Sequence, residues 1–187
     1  MSDRRVKYTK NALKESLIAL LGKKSIDRIS IKEICEEADI NRSTFYKHYA
    51  DQYDLLRQIE LEVLTNIKAH LSEYNFKEYE PESLQIMERI FEYVVENAKL
   101  CKVILGEHGD AAFQKEIMML VQERSMEEWQ GNNELDDETK EYSLLFGLNG
   151  GIGLVQKWLR ADLQTPAKEI AQLIISLTYR GLSGFKR

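Results

Sequence analysis

The 187-residue sequence has only two prolines, two cysteines and three histidines, and these scarcities exclude several classes of protein. Cys35 and Cys101 are too few for a disulfide framework, and both lie in apolar helical patterns, where a buried free thiol is expected. No stretch approaches the roughly 18 uncharged apolar residues of a membrane helix, so we expect no membrane partner. The first residues contain no apolar core of a signal peptide. Together these features predict a cytoplasmic protein.

Residues that could carry catalysis or hold a metal ion are dispersed along the chain. His48, His70 and His108 fall in different segments, and Cys101 with His108 makes a weak pair for zinc. The segment Gly106-Glu107-His108-Gly109 lacks the lysine that completes a phosphate-binding loop. We therefore expect a protein that is not an enzyme and that needs no metal and no cofactor.

Charge divides the chain into two parts. Residues 1–58 contain 12 Lys and Arg against 9 Asp and Glu, whereas residues 59–187 contain 14 against 22. A basic N-terminal part on an acidic protein is what a separate nucleic-acid contact surface would look like. The distribution favours two domains, at residues 1–58 and 59–187.

Apolar residues recur with the helical period in the N-terminal part. The pattern predicts a first helix from Thr9 to Leu21, ended by Gly22, and then two short helices. Ser30 and Glu33 have the spacing of a capping box at the start of the second helix. Further polar residues suit the caps of the third and fourth helices, which are Asn41 and Asp51.

The remaining sequence also reads as helix, with no convincing strand. A polar break at residues 75–80 and a loop at residues 131–133 separate the segments. Helix starts are predicted near Pro81, Asp110, Asp136 and Pro166, and the longest helix is predicted to run from Asp136 to Ala161. The predicted fold is all-α: an N-terminal three-helix module with a helix-turn-helix, joined to a larger helical C-terminal domain.

The two short helices joined by residues 39–41 are too small to bury a core alone, so the first helix must support them. Phe45 and Tyr49 are four residues apart and are predicted to face that support. The outward surface then carries side chains that suit DNA bases and phosphates: Arg42, Ser43, Thr44, Tyr46, Lys47 and His48. A three-helix subdomain with a solvated polar face would have the same spacing, so the pattern alone leaves both interpretations open.

The particular residues resemble the TetR family of transcriptional regulators. The similar run ends in Ser43-Thr44-Phe45-Tyr46-Lys47-His48-Tyr49, is followed by Asp51, Leu55 and Leu56, and covers about residues 9 to 58. The resemblance implies base reading by Arg42, Ser43 and Thr44, with Lys32 as a further candidate on the second helix. It implies contacts to the DNA backbone by Ser30, Tyr46, Lys47 and His48.

This sequence departs from the family pattern at two positions. Asp39 stands where the family usually has a glycine between the two helices, although aspartate can adopt the left-handed conformation. Gln52 stands where a lysine often begins the fourth helix. Gln52 can still donate a hydrogen bond to phosphate, but it brings no charge.

Four glycines between Gly147 and Gly153 fall within the long predicted helix, where each costs about 1 kcal/mol relative to alanine. They predict either a close approach of helices or a kink beside a cavity. The run through Phe146, Gly150 and Trp158 to Pro166 resembles the C-terminal domains of Firmicutes-type TetR regulators, which implies pairing of the final two helices with those of a second subunit. TetR-family C-terminal domains bind ligands as well, although some members of this branch have no known ligand. The implied dimer interface comprises Gly147, Gly150, Gly151, Leu154, Ile170, Leu173, Ile174 and Leu177. The candidate lining of a ligand pocket is Ile104, Phe113, Ile117, Phe146 and Trp158. Packing within the chain's own core is the alternative for both sets.

The resemblance implies a repressor that binds a palindromic operator in double-stranded DNA as a homodimer. It leaves room for release by a small-molecule effector, whose identity the sequence does not give. An activator would have the same sequence features. The alternative function is that of a helical dimeric interaction protein without sequence-specific DNA binding, which would share the caps and apolar stripes.

Overall fold

The computed structural model describes residues 2–72, 80–106, 109–129 and 136–183, and these residues contain helices and no strand. The first four helices are α1 (Ser2–Leu21), α2 (Ile31–Glu37), α3 (Arg42–Phe45) and α4 (Gln52–Ser72), with a 3-10 turn at Ile26–Arg28. The others are α5 (Glu80–Glu96), α6 (Ala98–Ile104), α7 (Ala111–Trp129), α8 (Asp137–Arg160) and α9 (Ala167–Ser183). The predicted all-α class is confirmed. In the described ranges, no helix has the length and apolar character needed to cross a membrane.

Polar side chains cap the helices at the predicted positions. The Ser30 hydroxyl accepts a hydrogen bond from the backbone N–H of Glu33 at 3.3 Å, and the Glu33 carboxylate accepts one from the N–H of Ser30 at 3.0 Å. The capping box before α2 is therefore complete. Asp51 and Asp136 each accept the N–H of the residue three positions further on, at 2.8 Å, and so cap α4 and α8.

The predicted start of α1 at Thr9 is wrong, because the helix begins at Ser2. The prediction relied on apolar periodicity, and the residues from Arg4 to Tyr8 are exposed, so no buried stripe marks them. Arginine and lysine are good helix formers, and no proline or glycine interrupts this segment. The loop at residues 131–133, most of the break at residues 75–80, and His108 lie outside the described residues.

A first hydrophobic core joins the N-terminal helices to part of the C-terminal domain. Its N-terminal half includes Leu13, Leu17 and Phe45, all of which are fully buried. Ile86 on α5 and Phe113 on α7 belong to the same core. The boundary predicted between residues 58 and 59 falls within α4, which is continuous across it and contributes to this core on both sides.

A second core lies where α5, α6, α8 and α9 meet. The rings of Phe91 and Trp158 contact each other edge to face, with centroids 5.6 Å apart. The Trp158 indole N–H donates to the backbone carbonyl of Thr165 at 2.7 Å, which satisfies its buried polar atom. This bond ties the end of α8 to the turn before α9.

The glycines of α8 interrupt neither the helix nor its hydrogen bonding, since the helix is continuous from Asp137 to Arg160. A Cβ atom added at Gly147, Gly150, Gly151 or Gly153 would meet nothing within 4 Å. The helix is therefore not broken at the glycines, and no other described element of the chain approaches them closely. A close approach by a helix of a second subunit stays a prediction. Phe146, a candidate for the ligand pocket just before the glycines, is 84% exposed.

Candidate nucleic-acid interface

The turn between α2 and α3 sets the angle at which the second helix leaves the first. Asp39 has a φ of 51°, as the left-handed turn requires, although glycine is the usual residue there. The N–H of Ile40 donates to the backbone carbonyl of Cys35 at 2.9 Å, and the N–H of Asp39 donates to the backbone carbonyl of Glu36 at 3.3 Å. These two bonds form a Schellman motif, which satisfies the last carbonyls of α2 and reverses the chain.

The start of α3 follows directly from this turn. The Asn41 side-chain oxygen accepts the backbone N–H of Ser43 at 2.9 Å and its hydroxyl at 3.1 Å. Beyond Phe45 the chain continues in helical turns, in which the N–H of His48 and that of Tyr49 both donate to the Phe45 carbonyl. The recognition segment, which we define as residues 42–48, is therefore one short, capped unit.

Two aromatic side chains anchor the recognition segment to the module. Phe45 is fully buried and Tyr49 is nearly so, with ring centroids 5.7 Å apart. Both belong to the first core together with Leu13 and Leu17 of α1. Their predicted inward orientation is confirmed. The opposite side of the recognition segment faces away from the core.

The outer side of the recognition segment carries the residues predicted to contact DNA. Arg42, Ser43 and Lys47 are exposed, and Tyr46 is 58% exposed with its ring edge against Phe45. Two further residues of the predicted set, Thr44 and His48, are half-buried. Arg42, Tyr46 and Lys47 offer guanidinium, phenol and ammonium donors, which suit base edges and phosphate oxygens. The Ser43 hydroxyl donates to Asn41 and is left with acceptor capacity.

Lys32 and Arg42 line one concave surface between α2 and α3. The Lys32 ammonium lies 3.7 Å from the carboxylate of Glu36, which lines the same surface. Burial raises the pKa of the Cys35 thiol in the same surface, and the nearby charge of Arg42 opposes that rise. The structure therefore brings together two predicted base-reading residues that are ten positions apart in sequence.

One predicted backbone contact, Ser30, has another role within the chain. The Ser30 hydroxyl donates to Glu33 at 2.9 Å, so its only donor is used within the capping box. The Lys24 ammonium donates to the same carboxylate at 2.6 Å, and this bond, with those from Ser30, lowers the pKa of Glu33 to about 2. Gln52 is half-buried as the first residue of α4.

The residues predicted to line a ligand pocket are not brought together. Ile104 and Phe113 are buried in the first core, and half-buried Ile117 packs against them. Trp158 is buried in the second core, and Phe146 lies on the protein surface. In the described part of the chain, no group of three or more His, Cys, Asp or Glu residues could hold a metal ion.

The residues predicted to form a dimer interface fall into three classes of burial. Ile170 and Ile174 are buried in the second core of the chain itself. Half-buried members of the set are Gly147, Gly151 and Leu154. Exposed members are Gly150, Leu173 and Leu177. The apolar stripe of α9 is thus divided between an inward half and an outward half.

An ionic cluster between α4 and α7 was missed from the sequence. The Arg57 guanidinium donates to Glu116 at 3.0 Å and lies 3.7 Å from Glu60, whose side chain is only 3% exposed. Burial, assisted by the negative charge of Asp110, raises the pKa of Glu60 to about 7. The sequence contained a signal for a buried carboxyl group, since Glu60 occupies a position of the apolar stripe of α4, four residues after Leu56.

Two family models match this chain. A model described as bacterial regulatory proteins of the tetR family matches residues 15–59, and one described as a transcriptional regulator C-terminal region matches residues 82–180, which is more than half of the chain. The chain belongs to the TetR family. It is a DNA-binding transcriptional regulator with a helix-turn-helix, and TetR-family regulators are not enzymes, as the sequence predicted.

Several known proteins share parts of this TetR-family chain or its fold. The uncharacterized HTH-type transcriptional regulator YxbF of Bacillus subtilis is 34% identical over 85 residues, which are 42% of this chain. The match spans only 22% of the length of that relative.

Solved TetR-family structures superpose over nearly the whole chain. A TetR transcriptional regulator from Streptococcus agalactiae is 19% identical with a TM-score of 0.67, covering 95% of this chain and 97% of that one. The fatty acid degradation regulator FadR from Bacillus halodurans is 14% identical with a TM-score of 0.70, covering 96% and 97%. A tetR-family regulator from Streptomyces coelicolor is 14% identical with a TM-score of 0.73, covering 96% and 82%. At these identities the likeness shows the fold alone.

Proposed function

We propose that this TetR-family regulator is a repressor that binds a palindromic operator as a homodimer, with the recognition segment in the major groove. The observation that carries the proposal is the recognition segment itself, where buried Phe45 and Tyr49 hold Arg42, Ser43 and Lys47 on an outward surface. Arg42, Ser43, Thr44 and Lys32 read bases in this proposal. Tyr46, Lys47, His48 and Gln52 contact the backbone, and Ser30 joins them when its hydroxyl turns from Glu33 to a phosphate.

Selection of bound fragments from random DNA tests the operator. We expect a palindrome whose half-sites are separated by about one helical turn, roughly 34–36 Å, because a two-fold dimer presents paired recognition helices. An enriched sequence without two-fold symmetry would contradict the dimeric arrangement. A lack of any enriched sequence would contradict sequence-specific binding.

Binding of the selected operator by substituted proteins separates base reading from backbone contact. Arg42→Ala and Thr44→Ala should relax discrimination between operator and mismatched DNA, with a cost of roughly 1–3 kcal/mol for a lost bidentate base contact. Tyr46→Ala and Lys47→Ala should weaken binding to all sequences similarly. Lys168→Ala on α9 removes the same charge from an exposed site outside the DNA-binding module and serves as the control.

The homodimer is proposed on the outward faces of α8 and α9. Phe146, Gly150 and Gly153 are spaced for one face of α8 and are exposed. On α9, Leu173 and Leu177 are 44% and 59% exposed. Exposed apolar surface of this kind marks interaction sites, and the absence of side chains at the glycines permits close helix packing.

Sedimentation velocity at micromolar concentration tests the interface. The wild type should sediment as a dimer, whereas Phe146→Glu and Leu177→Glu should sediment as folded monomers, since each buries a charge in the proposed contact. Met119→Glu, which changes an exposed apolar residue on α7, should remain dimeric. A wild-type monomer, or dimers in all three variants, would rule out this interface.

Repression and effector release rest on the family resemblance. A reporter with the selected operator across its promoter should increase in expression when the regulator is deleted; a decrease would indicate an activator. Effector release is tested by thermal denaturation against a small-molecule collection, because a ligand of the folded state stabilises it. A stabilising compound should also displace the protein from operator DNA.

The domain boundary near residue 58 is proposed as the limit of the residues that contact DNA.

A further inference from the structure

The first turns of α1 carry a concentration of unneutralised positive charge. Arg4, Arg5, Lys7 and Lys10 are all exposed, and they lie within the helix because it begins at Ser2. Tyr8 is exposed among them. We call Arg4, Arg5, Lys7 and Lys10 the α1 basic cluster. The buried face of α1 begins only at Leu13, so packing within the chain does not account for these side chains.

The positive charge of the N-terminal module depends on this cluster. Residues 1–58 carry 12 Lys and Arg against 9 Asp and Glu, and the cluster supplies four of the 12. The eight cations that remain are outnumbered by the nine acidic residues. A module that must approach a polyanion therefore owes its favourable net charge to the start of α1.

Several other cations of the module are already paired with carboxylates. Lys14 and Lys24 each contact a glutamate at 2.6 Å, Lys32 contacts Glu36 at 3.7 Å, and Arg57 contacts Glu116 at 3.0 Å. Across the described residues, the side chains of the α1 basic cluster have no ion pair. Their charge is available to an external anion.

Two members of the cluster, Arg4 and Arg5, also oppose the electrostatics of their own helix, because they lie in its first turn. The N-terminus of an α-helix carries partial positive charge, so cations in the first turn destabilise it, whereas an external anion stabilises it. Placing basic residues there lowers the stability of the isolated helix. A bound polyanion would reverse that effect.

The C-terminal end of α1 faces the rest of the molecule. Ile18 and Leu21 line a cleft against Val103 of α6, so the opposite end of α1 points away from the C-terminal domain. With a rise of 1.5 Å per residue, the residues of the cluster lie about 12–25 Å along the helix axis from Ile18 and Leu21. It lies beyond Leu13, which shares the first core with Phe45 of the recognition segment.

We propose that the α1 basic cluster is a second DNA-contacting surface, which binds phosphates of the duplex beside the bases that the recognition segment reads. The inference rests on the proposed function and adds a site to it. The positive charge of the α1 basic cluster also offsets the missing charge at Gln52, a position where the TetR pattern often has a lysine. Phosphate contacts release counterions, so the cluster strengthens binding in a salt-dependent way and independently of sequence.

The salt dependence of DNA binding by the full-length protein tests this surface. The fourfold variant Arg4→Ala, Arg5→Ala, Lys7→Ala and Lys10→Ala is compared with the wild type on selected operator and on unrelated duplex. The slope of log K against log salt concentration should fall by about 0.9 for each lost phosphate contact, hence by about 2–4 in all. Affinity at 0.15 M salt should fall roughly tenfold or more on both DNAs, while the ratio between them stays unchanged.

A matched control separates local contact from net charge. Lys115→Ala, Lys157→Ala, Arg160→Ala and Lys168→Ala remove the same total charge from exposed positions on α7, α8 and α9. This control should keep the wild-type slope. The charge-preserving variant Arg4→Lys, Arg5→Lys, Lys7→Arg and Lys10→Arg should keep it too, and circular dichroism monitors the folding of each protein.

The outcomes distinguish this inference from the proposed function. Equal slopes in the wild type and the α1 variant, with operator binding intact, would overturn the second surface and leave the repressor proposal standing. Equal losses in the α1 variant and the matched control would also overturn it, because net charge alone would then be responsible. A wild type that binds no DNA would overturn both proposals.

Discussion

At the scale of single residues, Asp39 and Glu60 are each held in a state that their residue types seldom adopt. Asp39 has a positive φ of 51° at the turn between α2 and α3. Glu60 has its carboxyl group in the contact between α4 and α7, where one carboxylate oxygen is buried without a hydrogen-bond partner. Neither arrangement is favourable for the side chain alone, so each is maintained by the helices around it.

Substitution of Asp39 tests the cost of its backbone conformation. Asp39→Gly should raise the free energy of unfolding by up to about 1 kcal/mol, because glycine has no Cβ to crowd the carbonyl oxygen at this φ. Asp39→Ala should lower it by about 1 kcal/mol, because alanine has the same crowding and adopts this conformation less readily than aspartate. Urea unfolding followed by circular dichroism measures both. A glycine variant less stable than the alanine variant would contradict this account.

Glu60 should make the stability of the protein depend on pH. Burial first, and then Asp110, raise its pKa from 4.5 to about 7. Between these two values the folded chain retains a proton that the unfolded chain has released. The Glu60 contribution to stability is therefore complete below pH 4.5 and is lost as the pH rises towards 7.

Glu60→Gln should remove this dependence and stabilise the protein above pH 7. The expected gain is up to about 3.5 kcal/mol, since the pKa of Glu60 rises from 4.5 to about 7 and one pKa unit corresponds to about 1.4 kcal/mol. Urea unfolding at pH 5 and pH 8 measures the difference, and Glu92→Gln at an exposed site on α5 is the control. Equal gains at both pH values would argue against a neutral carboxyl group at Glu60.

At the scale of elements, the recognition segment and α8 are stabilised as helices in different ways. The α-helical part of the recognition segment has only four residues, too few to be stable alone, and it persists through the Asn41 cap and the burial of Phe45. Helix α8 is 24 residues long and tolerates four glycines without a break. Its length compensates for local weakness, whereas the recognition segment relies on tertiary support.

Substitution of the α8 glycines tests whether their outward face meets a second helix. Gly150→Ala should stabilise the helix by about 1 kcal/mol, because a Cβ there meets nothing within 4 Å in the chain itself. In the proposed dimer the added methyl group should separate the packed helices and raise the dimer dissociation constant at least about tenfold, which is equivalent to about 1.4 kcal/mol. Gly151→Ala, whose Cβ lies about 100° further round the helix, should give the same stabilisation with a smaller loss of dimer. Identical dimer constants for the two variants would refute close packing at Gly150.

At the scale of the whole molecule, α4 makes the DNA-binding module and the C-terminal domain interdependent. The first core contains Leu13 and Phe45 from the module together with Leu100 and Phe113 from beyond it. The Arg57–Glu116 ion pair joins α4 to α7 across the same junction. A movement of α7 therefore reaches the module through packed side chains and not through a loose linker.

A fragment that ends at residue 58 should be unfolded. Cutting there removes Ile59, Val63 and Ile67 from α4 and leaves the apolar side chains of α1 without the helices that cover them. The expected result is a weakly helical circular dichroism spectrum with no cooperative melting transition, whereas the full chain should unfold in one transition. A fragment with a sharp melting transition would show that the module is a separate folding unit.

Features that depend on residues close together in sequence were predicted correctly, whereas features that depend on distant residues were not. The capping box at Ser30, the cap at Asn41 and the inward orientation of Phe45 depend on residues within a few positions, so their spacing was sufficient. The start of α1 was missed because exposed basic residues leave no apolar period. The neighbours of Glu60 were missed because Asp110 and Glu116 are about 50 residues away in sequence.

The sequence by itself determined the helical class, the helix-turn-helix with its caps and anchors, and membership of the TetR family. Those features arise from local periodicity and from side chains that cap their own helices. Only the tertiary structure decided that Ile170 and Ile174 are buried in the chain while Leu173 and Leu177 are exposed. It also decided that the predicted pocket residues belong to two cores and the surface. An apolar side chain in a helix has the same pattern whether it packs within its own chain, against a ligand or against a partner, and only the packed arrangement distinguishes them.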